Sequence, residues 1–446
     1  MFEQIRRRLL GPPAPESERA GRMSGYPHFL RNYWLGIANG VLFNTGLSFF
    51  NRTTIIPVFL SSLGAPSVLI SLTALFEALG WHLPQFFASK FVVHKPLKLP
   101  LYGRAAVARV FGLLMAVGST LLAVAQPLWA MLLFVVGYGL FALAGGFAGL
   151  VFTEILAKTC PKEKRGSYFG WRAILSGIAG LYLGVNLIRP IFTRFEFPHT
   201  YLIVFGIGTL LIAVSFYLFT LQKEPAQSDL PPKRTLRGQI AAARRILLVN
   251  HAFRRFVVFR ALLMLWFAGI PFYMLFARDR LGATDAEIGT YISWEFAGLI
   301  VANLLWGFLS NRVGNRTLLI VVCVLAFLVS TAMLLYAMEA IPLPAWSFGS
   351  IFFLSAAVDS GAGNGGINYA LEIVPEAERP TYVGLMNTLL AAALIVAALA
   401  GWLRDEIGYV GMYVATTVVA LASLVLILRL PEPRRGPVAM RMVRMR

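Results

Sequence analysis

Four ionisable residues stand inside long apolar stretches of the chain. Arg52 lies in residues 33–62, Glu77 in 67–89, Glu295 in 286–310 and Asp359 in 346–372. A charge at hydrocarbon depth costs a few kcal/mol, so each such group needs a partner or a task. Desolvation penalises the charged form of a carboxylate, which suits Glu77, Glu295 and Asp359 to taking up and releasing a proton. A guanidinium suits holding an anionic group, either on a solute or on one of those carboxylates, and Arg52 is placed for that. Glu77 and Glu295 each fall about ten residues into their stretch, about 15 Å deep at 1.5 Å per residue. Arg52 continues a polar stripe through Asn44 and Ser48, and Asp359 precedes Gly363 and Gly366 at helical spacing, leaving room for a ligand or a close helix. The competing reading is that all four make fixed ion pairs or hydrogen bonds between helices. Trp81 and Trp294, beside the two glutamates, are candidates for stacking on a solute, though such residues commonly serve packing.

Other chemistries find no support. The five histidines are scattered, and the two cysteines, Cys160 and Cys323, form neither a disulfide framework nor a metal-ligand spacing. Gly361 to Gly366 reads GAGNGG, but no strand precedes it and no GK[ST] follows, so it reads as a small-residue stripe for helix contact. No catalytic motif is present. The chain is expected to be no enzyme and to hold neither a metal nor another cofactor.

The elements that must position these residues are membrane helices. The chain is 58% hydrophobic and 14% charged, and a bilayer core needs about 20 apolar residues per helix. Runs of that kind fall near 33–62, 67–89, 101–124, 128–156, 168–190 and 200–221, then near 256–277, 286–310, 317–339, 346–372, 382–403 and 409–429. These predict twelve spans, numbered here 1 to 12, in two groups of six. Of the 40 lysines and arginines, 31 fall in the N-terminal arm, the even-to-odd connections, the central linker and the C-terminal tail, five on the opposite side, and the remaining four, Arg52, Arg109, Arg172 and Arg260, inside or just within the spans. Excess positive charge marks the cytoplasmic face, so both termini are placed there, in a plasma (inner) membrane. The same bias accounts for the net charge of +19. That charge therefore argues for contact with anionic lipid head groups rather than nucleic acid. The expected organisation is a cytoplasmic arm over 1–31, a six-helix bundle over 32–221, a cytoplasmic linker over 222–255, a second bundle over 256–430 and a basic tail over 431–446. Within the linker, KRTLRGQIAAARRILL could form an interfacial amphipathic helix or a solvated connection.

The two groups are copies of one plan. Pro161 to Gly170 reads PKEKRGSYFG and Pro375 to Gly384 reads PEAERPTYVG, both P-x-x-x-R-x-x-Y-x-G. Leu63, Gly64 and Ala65 recur as Leu281, Gly282 and Ala283, Glu77 as Glu295, Gly80 as Gly298, and Glu154 as Glu372, all 218 residues on. Between spans 8 and 9, Gly307 to Arg316 reads GFLSNRVGNR.

That loop resembles the G-x-x-x-D-R-x-G-R-R/K signature of the major facilitator superfamily. Gly307, Arg312, Gly314 and Arg316 match, while Asn311 stands where the signature has an acid. The corresponding first-half loop, SKFVVHKPLK, keeps only His94 and Lys98 as basic counterparts. The resemblance implies an all-α membrane fold of two pseudo-symmetric six-helix bundles rocking about a central site lined by spans 1, 4, 7 and 10. Arg165 and Arg379 are expected to bond helix C-terminal carbonyls or to pair with Glu154 and Glu372, and Asn311 leaves the usual acid–base latch in doubt. The function implied is secondary transport of a small solute, coupled to protons, with an amphipathic or lipophilic solute favoured by the aromatic content and the few polar residues of the cavity spans, and export preferred over import. A sugar-like or anionic solute held by Arg52 is the alternative, and a non-transporting scaffold of the same fold a third reading. Arg260, one turn inside span 7, is expected to reach back to the membrane surface.

Overall fold

The computed structural model describes residues 28–92, 95–226, 245–340, 345–374 and 379–433. The described chain is helical throughout. The first half comprises α1 (Phe29–Ser48), α2 (Ile55–Ser62), α3 (Ser67–Val92), α4 (Leu99–Leu122), α5 (Pro127–Thr159), α6 (Lys162–Leu183), α7 (Arg189–Arg194) and α8 (His199–Thr220). The second comprises α9 (His251–Trp266), α10 (Pro271–Leu281), α11 (Asp285–Arg312), α12 (Asn315–Ala337), α13 (Gly349–Ile373), α14 (Arg379–Ala398) and α15 (Ala400–Leu428). Twelve spans result, because α1 and α2 make the first, α9 and α10 the seventh, and α6 and α7 the fifth through a π-helical turn at Gly184–Ile188. Eight of the helical segments are long and apolar enough by themselves to cross a membrane. Neither α1 nor α13 is among those eight. Both are more polar, and both line the site described below.

The repeated sequence motifs build matching joints. Gly64 (φ 74°) ends α2 and Gly282 (φ 67°) ends α10 in the left-handed conformation that glycine adopts without strain. The carbonyls of Leu60 and Ala277 accept from the backbone N–H groups of Ala65 and Ala283, both at 3.0 Å. The tyrosine of the ten-residue repeat docks the fifth and eleventh spans onto the first and seventh. Tyr168 packs beneath Gly36 and edge-on to Tyr33, and Tyr382 sits edge-on to Phe253, with ring centroids 4.7 Å apart.

Two differences from the expected spans matter for the site. Span 1 is not continuous: helix stops at Ser48 and resumes at Ile55. Pro57 stands in the first turn of α2, where its missing N–H is no loss. Span 7 carries a corresponding irregularity, a 3-10 turn at Phe267–Gly269 before Pro271.

The halves meet closely at the end opposite the start of α1 and the finish of α15. There Gly184 and Gly289 bring the π-turn and α11 into backbone contact. Ser293 donates to the Leu181 carbonyl at 2.9 Å, and the Ser71 hydroxyl donates to the Ala398 carbonyl. At the same end Asp405 accepts from the Ser67 hydroxyl and, at 3.3 Å, from its backbone N–H at the start of α3. Arg404 donates to Ser67 and pairs with Asp279 at 3.3 Å.

Candidate functional site

The break in span 1 is held open by one side chain. Asn51 Oδ1 accepts from the backbone N–H groups of Thr53 (2.8 Å) and Thr54 (2.9 Å), and lies 2.6 and 3.0 Å from their hydroxyls. Non-helical backbone at membrane depth must have its polar groups satisfied in this way or line a cavity; this segment does both. Its remaining groups cross to the other half. Asn51 Nδ2 donates to Glu295 Oε2 on α11 at 2.9 Å, and Thr53 Oγ1 lies 2.9 Å from the same oxygen. The next residue, Arg52, forms an ion pair with Asp359 on α13.

These contacts form the floor of a cavity of about 1090 Å³. It reaches past Phe152, Phe169 and Arg172, toward the end at which α1 begins and α15 finishes. All four ionisable residues expected from the sequence line it: Arg52, Glu77, Glu295 and Asp359. Two of them form the cross-half pair and Glu295 joins the Asn51 network. Glu77 makes no hydrogen bond to another described residue. The duplicated glutamates therefore have unequal surroundings despite equivalent positions.

Several expectations need correcting. Trp294 does not line the cavity; it packs edge-on to Phe353 with ring centroids 6.3 Å apart. The side chain of Trp81 lies outside the described residues. No described residue of α9 or α10 lines the cavity, whereas α3, α4, α6 and α11 do, so the set is wider than spans 1, 4, 7 and 10. The cavity walls carry amide groups, Asn39, Asn44, Asn51, Asn303 and Asn364, within a lining that is mostly apolar. Arg260 does not reach the surface: it is 3% exposed and donates to the Ala362 carbonyl, its guanidinium filling the space beside Gly366. The glycine at 366 is what admits it.

Sequence reasoning placed Arg109 and Arg172 inside spans without assigning them a role, and both line the cavity. Arg172 donates to the Gly36 carbonyl at 2.8 Å and to Tyr168 at 2.9 Å. Arg109 lies among Phe43, Phe141 and Phe216, its guanidinium carbon 4.9, 4.3 and 4.9 Å from the ring centroids. The available signal was charge inside an apolar run, the same that singled out Arg52. His82, also in the lining, was passed over because isolated histidines carry little signal.

The loop residues stay within their own halves. Arg165 bonds the C-terminal carbonyls of α5, to Cys160 at 3.2 Å and Ala157 at 3.0 Å, rather than Glu154. Burial pushes the neighbouring Cys160 thiol above its usual range, against the lowering effect of Arg165. Arg316 donates to the Leu428 carbonyl at the end of α15 at 2.7 Å, and Asn315 to Glu372 at 2.9 Å. Gly307, Asn311 and Arg312 are exposed, Arg312 lying over the Phe308 ring at 5.8 Å. Gly314 (φ 112°) turns the chain into α12. The side chain of Arg379 lies outside the described residues, as do His94 and most of the expected linker helix. A carboxylate missing from the sequence reading, Glu224, accepts from the N–H groups of Lys98 and Leu99 at the start of α4 and from Lys158 Nζ at 2.6 Å.

Residues 270–442 match the family model described as Major Facilitator Superfamily. The sequence likeness covers the second half of the chain, and over the whole chain the likeness is one of fold. Among solved structures, the POT family transporter PepTSo is similar with a TM-score of 0.68 at 12% identity, over 93% of this chain and 99% of that one. A bacterial homologue of the iron transporter ferroportin, in its inward-facing state, gives 0.64 at 14%, over 90% and 98%. The nucleoside transporter NupG gives 0.63 at 15%, over 90% and 98%. No curated protein matches the chain in sequence.

Proposed function

We propose that the protein moves an amphipathic organic solute across the plasma (inner) membrane by alternating access, coupled to a proton. The halves 32–221 and 256–430 are the two moving bodies, with the arm, the 222–255 linker and the tail on the cytoplasmic side. The observation that carries this reading is the cavity floor. Both of its cross-half links, Arg52 to Asp359 and Asn51/Thr53 to Glu295, arise at a broken helix and face the space a solute would fill. Broken helices at mid-depth are where transporters of this kind bind solute and coupling ion. Amide and ionisable groups set in a mostly apolar lining favour an amphipathic solute. The solutes named for the similar structures, nucleosides, peptides and iron, are too diverse to choose among.

Proton counting supports Glu295 as the coupling group. The Thr53 hydroxyl has one proton yet lies within bonding distance of two acceptors, Asn51 Oδ1 and Glu295 Oε2. With Glu295 ionised, the hydroxyl donates to it. With Glu295 protonated, the carboxyl donates to Thr53, and the hydroxyl turns to Asn51. One rotation therefore serves both states without leaving a buried group unpaired.

The test is purified protein in liposomes with an interior pH dye, screened against pooled solutes. Wild type should show solute-dependent proton flux, and Glu295→Gln should lose that flux while still exchanging solute across the membrane. Solute movement without protons in wild type would remove the coupling. No flux from any pool, with the protein folded, would sink the transport reading and leave a scaffold.

A further inference from the structure

Arg109 on α4 is a buried cation that makes no salt bridge, although the carboxylate of Glu77 acts on it from the same cavity. Only 9% of it is exposed, and it forms no ion pair or hydrogen bond with any described residue. Its Nε is enclosed and unpartnered. Three phenyl rings surround it, and such contacts return about 0.5 to 2 kcal/mol each where water is excluded. An isolated buried guanidinium costs several kcal/mol, and rings supply no acceptor for its five N–H donors. The guanidinium belongs to the cavity wall, so the missing acceptor can arrive from the cavity. On α5, Gly145 keeps that approach open: a Cβ there would lie 3.3 Å from the Arg109 Cζ and Nη2.

We infer that Arg109 is the subsite for the anionic group of the solute, and that the solute is an organic monocarboxylate with an apolar body. This rests on the cavity being the transport site. A planar guanidinium matches a carboxylate in a bidentate geometry, and the surrounding Phe43, Phe141 and Phe216 suit an apolar body. Charge counting selects a single negative charge. The lining holds Arg52, Arg109 and Arg172 against Glu77, Glu295 and Asp359, so its strong acids and bases cancel with His82 neutral. A monoanion entering with one proton keeps the closed cavity neutral, whereas a phosphate ester, which carries about −1.5 to −2 at neutral pH, does not. The subsite lies wholly in the first half, because Arg109, its three rings and Gly145 are all on spans 1, 3, 4 and 6. The anion would therefore travel with that half, while the proton site at Glu295 lies across the seam.

The experiment compares benzoate with benzamide, which share a shape and differ by one charge, by thermal shift and titration on the purified full-length protein in nanodiscs. Benzoate should bind wild type roughly 10- to 100-fold more tightly than benzamide, the range of a charge-assisted hydrogen-bonded pair. Arg109→Gln should erase the preference and Arg109→Lys should keep part of it. Gly145→Val, which leaves the cation in place and covers it, should also erase it, and decides the matter if Arg109→Gln does not fold. Equal binding, no binding, or a preference that survives in folded Arg109→Gln or Gly145→Val overturns the subsite. Liposome flux separates the two readings. Benzoate preference without flux of any carboxylate keeps the subsite and removes transport. Flux confined to neutral or cationic solutes, unchanged in Arg109→Gln, keeps transport and removes the subsite.

Discussion

Adding one methyl group at Gly289 should open the end of the protein that is closed in this structure. A Cβ there would lie 2.6 Å from the Arg189 nitrogen and 2.7 Å from its Cβ, and closer still to the Gly184 carbonyl. Carbon atoms rest about 3.5 to 4.0 Å apart, so Gly289→Ala requires the seam between α11 and the π-turn to part by about 1 Å. Overpacking of this kind costs about 1 to 3 kcal/mol. The penalty acts only on the state in which the seam is shut, so the balance between states shifts by about 5- to 150-fold. The readout belongs on the other seam, away from the substitution. Ser71 is fully buried there and bonds the Ala398 carbonyl, so Ser71→Cys should resist maleimide in the otherwise wild-type chain. It should become reactive when Gly289→Ala is added, faster by about the same factor. Background is low because Cys160 and Cys323 are both buried. A folded double variant in which the thiol introduced by Ser71→Cys stays protected would refute rigid-body rocking and leave only local loosening at Gly289.

Asp405→Asn should favour the same opening, because the carboxylate caps α3 from the opposite half; accessibility at Ser71→Cys should rise, by a factor of a few, reflecting about 1 kcal/mol for such a cap. Arg52→Gln and Asp359→Asn should each abolish solute flux, and the double variant should fold better than the two single effects predict. The pair is partly exposed, at 28% and 45%, so a double-mutant cycle on thermal stability should give a coupling of only about 1 kcal/mol. Glu224→Gln should lower thermal stability by about 1 to 3 kcal/mol, because a side chain with 1% exposure would lose charge-assisted bonds to two backbone N–H groups and Lys158. Unchanged melting would show that the linker does not brace the first half. Arg165→Ala should cost about 1 kcal/mol in stability without changing accessibility at Ser71→Cys, since its bonds stay inside one half.

The repeat was readable because a duplicated helix-loop joint needs the same residue types each time. Gly64 and Gly282 mark left-handed helix ends, and Tyr168 and Tyr382 mark the docking of one span on another. The ionisable candidates were readable for a similar reason: charge in an apolar run is conspicuous whatever it does. The partners of those charges were not readable. Arg52 and Asp359 are 307 residues apart, and nothing local to either specifies the other. Arg260 was misplaced because snorkelling is a property of lipid-facing helices, and α9 turns that face onto α13. Arg109 went unassigned because its neighbours Phe43, Phe141 and Phe216 come from three other spans.

By itself, then, the amino-acid sequence determined the solvent, the number of spans and their two-fold plan, since apolar length and repeated turn residues are local properties of the chain. It also determined which groups would be expensive to bury. Only the tertiary structure decided which of those groups meet. The break at Asn51, the crossing bonds to Glu295 and Asp359, and the buried cation at Arg109 arise where two six-helix halves meet or where distant helices pack. Their energetics depend on which neighbour lies within about 3 to 5 Å, the reach of hydrogen bonds and cation–π contacts.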